Sequence, residues 1–342
     1  MSVSARPATR GRFIRVTAAA VAIFVVAFAI ALAVGAERVD LVRALRGEGT
    51  DVERQILMDL RLPRVAAAAL VGGALATAGV VFQALLRNPL AEPYLLGLSG
   101  GGSFGAVLVI VGLGAQATAG AAARTGAAFA GCLLAVALVW VVASRGGGLR
   151  PSTLLLAGVV VNAFFLAAIA AAQFAAAPTE AQAILRWVMG GLATPSRAEL
   201  TVLAVAVPAG LAYAFLRAPS LNLLAFDEET ARHLGLDVTG LRRALFAGIS
   251  LLTAACVAVA GPIGFVGLFV PHAVRALVGS DHRVLLPAAF FGGAAFLVLA
   301  DSLARTVAAP QELPVGVVTA VIGAPAFVAL LARRRELRET AA

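Results

Sequence analysis

The sequence predicts an all-α polytopic membrane protein, and three observations lead to this prediction. The 342 residues are 61% hydrophobic and only 13% charged, whereas a soluble domain of this length carries about 25% charged residues. The apolar residues form long runs rather than alternating patterns, which excludes a transmembrane β-barrel. A bilayer core about 30 Å thick takes roughly 20 apolar residues per helix, and nearly the whole chain divides into runs of that length.

Ten apolar runs are predicted spans, and the eighth is the least regular because it is rich in glycine and proline. The spans are Ile14–Ala36, Val65–Leu86, Tyr94–Gly112, Gly126–Ala143, Thr153–Ala172, Leu200–Leu216, Ala244–Ala260, Ile263–Leu277, Leu285–Ala308 and Val315–Ala332. An even number puts both termini on one side, and the arginine clusters at 10–15, 242–243 and 333–335 predict that this side is cytoplasmic. The first run exceeds the h-region of a signal peptide, so we predict that it is retained.

The residue types present limit the chemistry of the chain. There is no lysine, so all 27 basic residues are arginine. A standard phosphate-binding loop needs a lysine that reaches the β- and γ-phosphates, so any ATP that drives transport is hydrolysed by a separate polypeptide. Cys132 and Cys256 lie within spans and predict no disulfide. No His, Cys or carboxylate pair has metal-ligand spacing, and we predict no bound metal, no cofactor and no catalytic residue.

The longest inner connection, residues 217–243, is predicted to contain a short helix at residues 227–235. Acidic residues occupy its first turn, Arg232 and His233 lie near its end, and Gly235 suits the C-cap. Four apolar residues of this connection would otherwise face water: Leu223, Leu224, Phe226 and Leu234. We therefore hypothesise that the connection pushes against a cytoplasmic partner; a solvated linker is the alternative.

Two irregular segments interrupt the apolar runs. Residues 87–93 form a short polar elbow between the second and third spans, and residues 261–272 contain two prolines and three glycines. Breaks of this kind free backbone polar groups, and a membrane tolerates them only against protein or a water-lined cavity. We expect helices to pack closely there through their small residues.

Five groups of residues match one known family, in order and with compatible spacing. They are RLPR with RNPLAEPYLLGLSGG, DEETARHLG, GPIGFVGLFVPHAVRALVGSDHRVLLP, ADSLAR, and ELPVGVVTAVIGAPAFVALL. Over residues 61–332 the chain thus resembles the FecCD family, the permease subunits of ABC importers for cobalamin, haem and ferric siderophores. The resemblance implies the type II ABC importer permease fold with inverted repeats. It divides the single permease domain, 1–342, into a first helix (14–36), a first repeat (61–172), a cytoplasmic coupling loop (218–240) and a second repeat (241–332).

The resemblance also implies partners. Members of the family work as homodimers with the path on the two-fold axis, two ATPase subunits inside, and a periplasmic or lipid-anchored binding protein outside. Arg61, Arg64 and Arg305 match positions that meet acidic residues of the binding protein, a task that suits the bidentate guanidinium. The alternatives are interfacial snorkelling of Arg61 and Arg64 and neutralisation of Arg305 by Asp301, four residues earlier.

On the inner face, residues 219–238 match the loop that inserts into a groove on the ATPase. The expected contacts are Asp227, Glu228, Ala231, Arg232 and Leu234. The cytoplasmic gate is expected at Pro151 and Ser152, although Pro151 stands where the family has a small hydroxyl residue. Asn162 could face the path or bond to a neighbouring helix.

The sequence therefore predicts a non-enzymatic subunit for ATP-driven import of cobalamin or an iron chelate, haem or ferric siderophore, across the inner membrane. The strings RNPLAEPYLLGLS, SDHRVLLP and ELPVGVVTA lean towards cobalamin. An ion-coupled secondary transporter is the alternative, but it would need acidic or His relays inside spans, where Asp301 is the one clear acidic residue. An intramembrane enzyme would need a nucleophile–base pair, which Ser103, Asn162 and His272 do not convincingly form.

Overall fold

The computed structural model describes residues 9–35, 50–114, 120–145 and 149–339, and the regular secondary structure of these residues is helical, without a strand. The side chains of the predicted inner arginine cluster at 333–335 lie outside the described residues.

The helices follow one another with short connections. In chain order they are α1 (Arg10–Ala33), α2 (Asp51–Gln55), α3 (Leu62–Leu85), α4 (Leu98–Leu113), α5 (Gly120–Ser144), α6 (Pro151–Ala175), α7 (Pro178–Val188), α8 (Arg197–Leu216), α9 (Ala218–Phe226), α10 (Glu228–His233), α11 (Val238–Ala260), α12 (Val266–Val278), α13 (His282–Thr306) and α14 (Val315–Glu339). A π-helical turn at Ile56–Arg61 joins α2 to α3, and a 3₁₀ turn at Pro93–Leu96 precedes α4.

Each predicted span coincides with a helix of the described chain. Seven helical segments are long and apolar enough to cross a membrane: Arg10–Ala33, Asp51–Leu85, Ala121–Ser144, Pro151–Ala175, Arg197–Leu216, Val238–Ala260 and His282–Thr306. Three others are apolar but shorter: Leu98–Leu113, Val266–Val278 and Val315–Leu330. The sequence analysis missed α7 and α9 because both are too short to register as spans. The predicted short helix at 227–235 is confirmed as α10, with Asp227 as N-cap and Gly235 at a left-handed φ of 84°.

Helix α3 lies at the centre of the bundle, and nearly all of its side chains are buried. Glycines allow its neighbours to approach closely. A methyl group on Gly72 would overlap the carbonyl oxygen of Gly293 in α13, and one on Gly79 would overlap the carbonyl oxygen of Gly267 in α12. Small residues at such contacts let helices gain van der Waals packing where lipid offers no hydrophobic driving force.

The polar elbow and the helix break, far apart in sequence, meet in the fold. The backbone between α11 and α12 is not helical, and Phe265 has a left-handed φ of 68°, which non-glycine residues rarely adopt. The backbone N–H of Phe265 donates to the carboxylate of Glu92, with 3.3 Å between N and Oε2. The elbow thus supplies an acceptor for a backbone group that the break leaves without a helical partner.

A second contact across this junction follows from Pro271. Proline has no backbone N–H, so the carbonyl of Gly267, four residues earlier, loses its helical donor. Gln83 of α3 donates to that carbonyl, with 3.3 Å between Nε2 and O. The Gln83 Oε1 in turn accepts from Arg275 Nη1 at 2.8 Å, so one buried amide joins α3 to two turns of α12.

Burial raises the pKa of Glu92 from its ordinary 4.5 to about 7, and the hydrogen bond from Phe265 opposes this shift only in part. Because the folded chain holds this proton more tightly than the unfolded chain, the folded state loses stability as the pH rises from 4.5 to about 7. We predict that Glu92→Gln abolishes this loss, which amounts to about 3 kcal/mol at most. Glutamine keeps an oxygen for Phe265 and carries no charge.

The measurement is thermal unfolding of the purified chain in detergent at several pH values from about 5 to about 8. Glu229→Gln is the matched control, because the Glu229 side chain is exposed on α10. A Glu92→Gln variant whose pH profile matches that of the wild type would contradict the prediction.

Candidate functional site

One end of the bundle, which the sequence predicts to be the outer end, is organised around Asp301, whose side chain is 0% exposed. Arg64 donates to Asp301 Oδ1 from Nε (3.1 Å) and Nη2 (3.0 Å). Arg305 forms an ion pair with Asp301 Oδ2 at 3.0 Å from its Nε. Arg64 Nη1 also reaches Glu312 Oε2 at 2.8 Å, and the Glu312 side chain is 53% exposed. We name these four residues the Asp301 ion cluster.

The predicted docking arginines also hold the carboxyl end of α1. Arg61 Nη1 donates to the carbonyl of Leu32 at 3.0 Å. Arg305 Nη2 donates to the carbonyl of Ala31 at 3.3 Å. The last carbonyls of a helix lack intrahelical donors, and positive charge there is favourable for the helix dipole.

The structure therefore brings Arg61, Arg64 and Arg305 to one end of the bundle, with their guanidinium groups turned inward. Arg61 and Arg305 are buried, and Arg64 is nearly so. The intrahelical Asp301–Arg305 pair that the sequence offered as an alternative is present. The contacts of Asp301 and Glu312 with Arg64 were not predicted; a lone aspartate in an apolar span was the available signal for the first.

At the other end of the bundle, α10 is a short helix of six residues that Asp227 caps at its amino terminus. The Asp227 Oδ2 accepts from the N–H of Thr230 at 2.8 Å and from its hydroxyl at 3.0 Å, and these hydrogen bonds lower the pKa of Asp227. Ala231 is buried against the bundle. Leu234, just beyond the helix, is 65% exposed, and Phe226, just before it, is 80% exposed.

Glu228 ties α10 to the loop that precedes α6. Its Oε1 accepts from Arg232 and its Oε2 from Arg242, each at 2.9 Å. Arg242 Nη1 donates to the carbonyl of Leu149 at 3.1 Å. Burial alone would raise the pKa of Glu228, but the hydrogen bonds from the two arginines lower it. The sequence analysis missed Arg242, because nothing local connects it with Leu149.

The predicted gate residues begin α6. Pro151 is its first residue, a position that suits proline because the missing N–H would have no helical acceptor there. This accounts for proline where the family has a small hydroxyl residue. Ser152 is exposed. Asn162 faces α4: a methyl group on Gly100 would meet Asn162 Oδ1, so this side chain lies between two helices of the same chain.

A second polar contact joins α9 to the start of α13. Asn222 of α9 donates from Nδ2 to Asp281 Oδ1 at 2.9 Å. Its Oδ1 accepts from the backbone N–H of His282 at 2.9 Å and lies 2.7 Å from His282 Nδ1. The start of α13 is therefore bound to α9. This contact was not predicted, since Asn222 and Asp281 are 59 residues apart in the sequence.

Metal-ligating groups do not gather in the described part of the chain: no three His, Cys, Asp or Glu residues there lie close enough to hold an ion.

The chain is similar in sequence to known transport permeases. The FecCD transport family matches residues 23–333. The cobalamin import system permease of Halobacterium salinarum is 43% identical over 83% of this chain and 74% of its own length. The hemin transport system permease of Yersinia pestis is 39% identical over 84% and 86% of the two chains. The Fe(3+)-citrate import system permease of Bacillus subtilis is 37% identical over 93% and 95%.

Among solved structures, an inward-facing metal-chelate type ABC transporter superposes with a TM-score of 0.83 and 29% identity. The match covers 93% of this chain and 99% of the other.

Proposed function

The chain belongs to the FecCD transport family and is a permease subunit of an ABC importer for cobalamin or iron chelates; from this premise we propose that its cargo is cobalamin. The support is the higher identity to a cobalamin import permease than to the hemin and ferric-citrate permeases. Haem and ferric siderophores are the alternative cargoes. An ion-coupled transporter finds no support, because Asp301 is already paired with two arginines.

The observation that best supports a coupling role is the apolar surface of the α10 region. Phe226 and Leu234 expose large side chains beside a helix that also presents Asp227 and Arg232. Exposed apolar residues with charges around them are typical of a docking surface. We propose that Asp227, Glu228, Ala231, Arg232 and Leu234 form the element that meets the ATPase, with Ala231 as its buried inner face.

The route from this element to the gate runs through Glu228, Arg242 and the carbonyl of Leu149. Leu149 is two residues before Pro151, so a displacement of α10 would move the start of α6. ATP binding would close the two ATPase subunits and push α10. The cargo path would then alternate between inward-open and outward-open states, which differ in their affinity for the partners.

The proposed assembly is a homodimer with the path on its two-fold axis. Helix α6 carries the gate residues Pro151 and Ser152 at one end, and it exposes a row of large apolar side chains along its length. These are Leu156, Val160, Phe164 and Phe174. Such a helix suits the side of the subunit that faces the path and the second copy. Asn162, which lies toward α4, would then stabilise the helix pair behind the path.

Two contacts support a common side for the amino terminus and α9. Arg12 near the amino terminus donates to the carbonyl of Val278, and Asp281 in the same connection binds Asn222 of α9. With α10 against a cytoplasmic ATPase, the amino terminus would be cytoplasmic, and ten spans would place the carboxyl terminus on the same side. The Asp301 ion cluster would then face the opposite side of the inner membrane.

Docking of the binding protein at Arg61, Arg64 and Arg305 would require an exchange of carboxylates. Glu312 is the exposed partner of Arg64, so an acidic side chain of the binding protein would replace it most easily. Asp301 is buried and would keep Arg64 and Arg305 in position. Bidentate geometry would then set the orientation of the docked protein.

We predict that proteoliposomes containing this chain, its cognate ATPase and its binding protein take up labelled cobalamin with ATP. Uptake is expected to be blocked by excess unlabelled cobalamin but not by haem or a ferric siderophore. A non-hydrolysable ATP analogue is the control. Active ATP hydrolysis without cobalamin uptake would indicate that the cargo is haem or a siderophore. Uptake without ATP would contradict the prediction of an ATP-driven importer.

We predict that Leu234→Ser and Arg232→Gln uncouple hydrolysis from uptake. Loss of one anchor at a partner surface should reduce uptake per ATP hydrolysed by about tenfold, while membrane insertion stays normal. Leu277→Ser is the control, because Leu277 is also exposed, at 84%, but lies on α12. Full uptake by the Leu234 and Arg232 variants would contradict the coupling role.

We predict that Glu312→Gln strengthens binding-protein docking by up to about fivefold, the value of an exposed ion pair, because Arg64 loses its internal competitor. Arg64→Gln should weaken docking. Binding of the cognate binding protein to the chain in nanodiscs measures both effects. Arg54→Gln, an exposed arginine on α2 at the same end, is the control. Equal affinities for all variants would argue against docking at Arg64.

A further inference from the structure

A cavity of about 470 Å³ lies between α10 and the loop before α6. Four arginines line it, Arg150, Arg232, Arg242 and Arg243, together with one carboxylate, Glu228. The cavity is thus enclosed by the cytoplasmic ends of helices that the proposed function connects with coupling and gating.

The charges around this cavity do not balance. Both oxygens of Glu228 are already used, one by Arg232 and one by Arg242. Arg150 and Arg243 have no hydrogen-bonded acceptor among the described residues. Guanidinium groups that face one another in a partly enclosed space repel unless an anion lies between them.

Arg242 is held in a fixed position beside this cavity. Its side chain is buried, with Nη1 bound to the carbonyl of Leu149 and Nη2 to Glu228. These two bonds keep its positive charge at the cavity whether or not an anion is present.

We propose that this cavity binds a phosphate group. Arg150 and Arg243 would donate to it from the mouth of the cavity, and Arg232 and Arg242 would add positive charge beside it. Ser144 and Thr239 line the same space. Phosphate offers several acceptor oxygens and up to two negative charges, which matches several guanidinium forks better than a single carboxylate does. The volume also leaves room for the group to which the phosphate is attached.

Two sources can supply this group. The cavity lies at the ends of α5, α6 and α11, where the polar headgroups of an inner leaflet begin, and basic pockets between membrane helices bind anionic headgroups. Free phosphate in the cytoplasm is the other source. A bound phosphate would hold α10 and the 149–150 loop together and would thereby affect coupling. This effect on coupling rests on the proposed function, whereas phosphate binding itself does not.

The test uses the full chain in nanodiscs of neutral phosphatidylcholine, without ATPase or cargo, so its outcome is independent of uptake. Inorganic phosphate is titrated at constant ionic strength while the thermal unfolding midpoint is followed. A parallel series replaces part of the neutral lipid with phosphatidylglycerol. The test variant is Arg150→Gln with Arg243→Gln. The control is Arg217→Gln with Arg283→Gln, which removes the same charge from exposed positions outside the cavity.

We expect a rise in the midpoint for the wild type and the control, and a half-saturating concentration about tenfold higher for the cavity variant, because charge-assisted hydrogen bonds are lost. A response to inorganic phosphate in neutral lipid would identify the free anion, and a response only to phosphatidylglycerol would identify the headgroup. Equal responses of the cavity variant and the control would overturn the proposal. A wild-type chain that responds to neither probe would also overturn the proposal. The cavity would then be expected to bind a carboxylate of a partner protein instead.

Discussion

Backbone polar groups inside a membrane have no water to bind, so each must find a partner within the protein. This constraint explains the positions of several of the few polar side chains inside the bundle. Glu92 accepts from Phe265 at the helix break, Gln83 donates to the carbonyl that Pro271 leaves open, and Arg61 binds the carboxyl end of α1. Without these bonds, the broken and short helices could not be buried in the bundle.

The charged side chains at the two ends of the bundle have a similar arrangement. At one end, Asp301 lies between Arg64 and Arg305, and at the other end Glu228 lies between Arg232 and Arg242. In each case one carboxylate binds two guanidinium groups. These internal bonds hold the arginines in position in the absence of any partner.

Close helix contacts and polar bonds depend on each other in this fold. Gly79 of α3 allows the backbone of α12 to approach at Gly267, and only that approach brings the carbonyl of Gly267 within reach of Gln83. A larger residue at position 79 would separate the helices and leave a carbonyl without a donor. Packing and hydrogen bonding at this junction are thus one constraint rather than two.

Features that depend on residues close together in the sequence could be predicted from the sequence alone. The helical spans follow from the length of apolar runs, and α10 follows from an acidic first turn and a glycine at its end, because these signals act within a few residues. The pairing of Glu92 with Phe265, of Arg242 with Leu149 and of Arg64 with Asp301 could not be read in this way. These partners are distant along the chain and meet only because small residues let particular helices pack, so the tertiary structure alone decides which polar groups are satisfied.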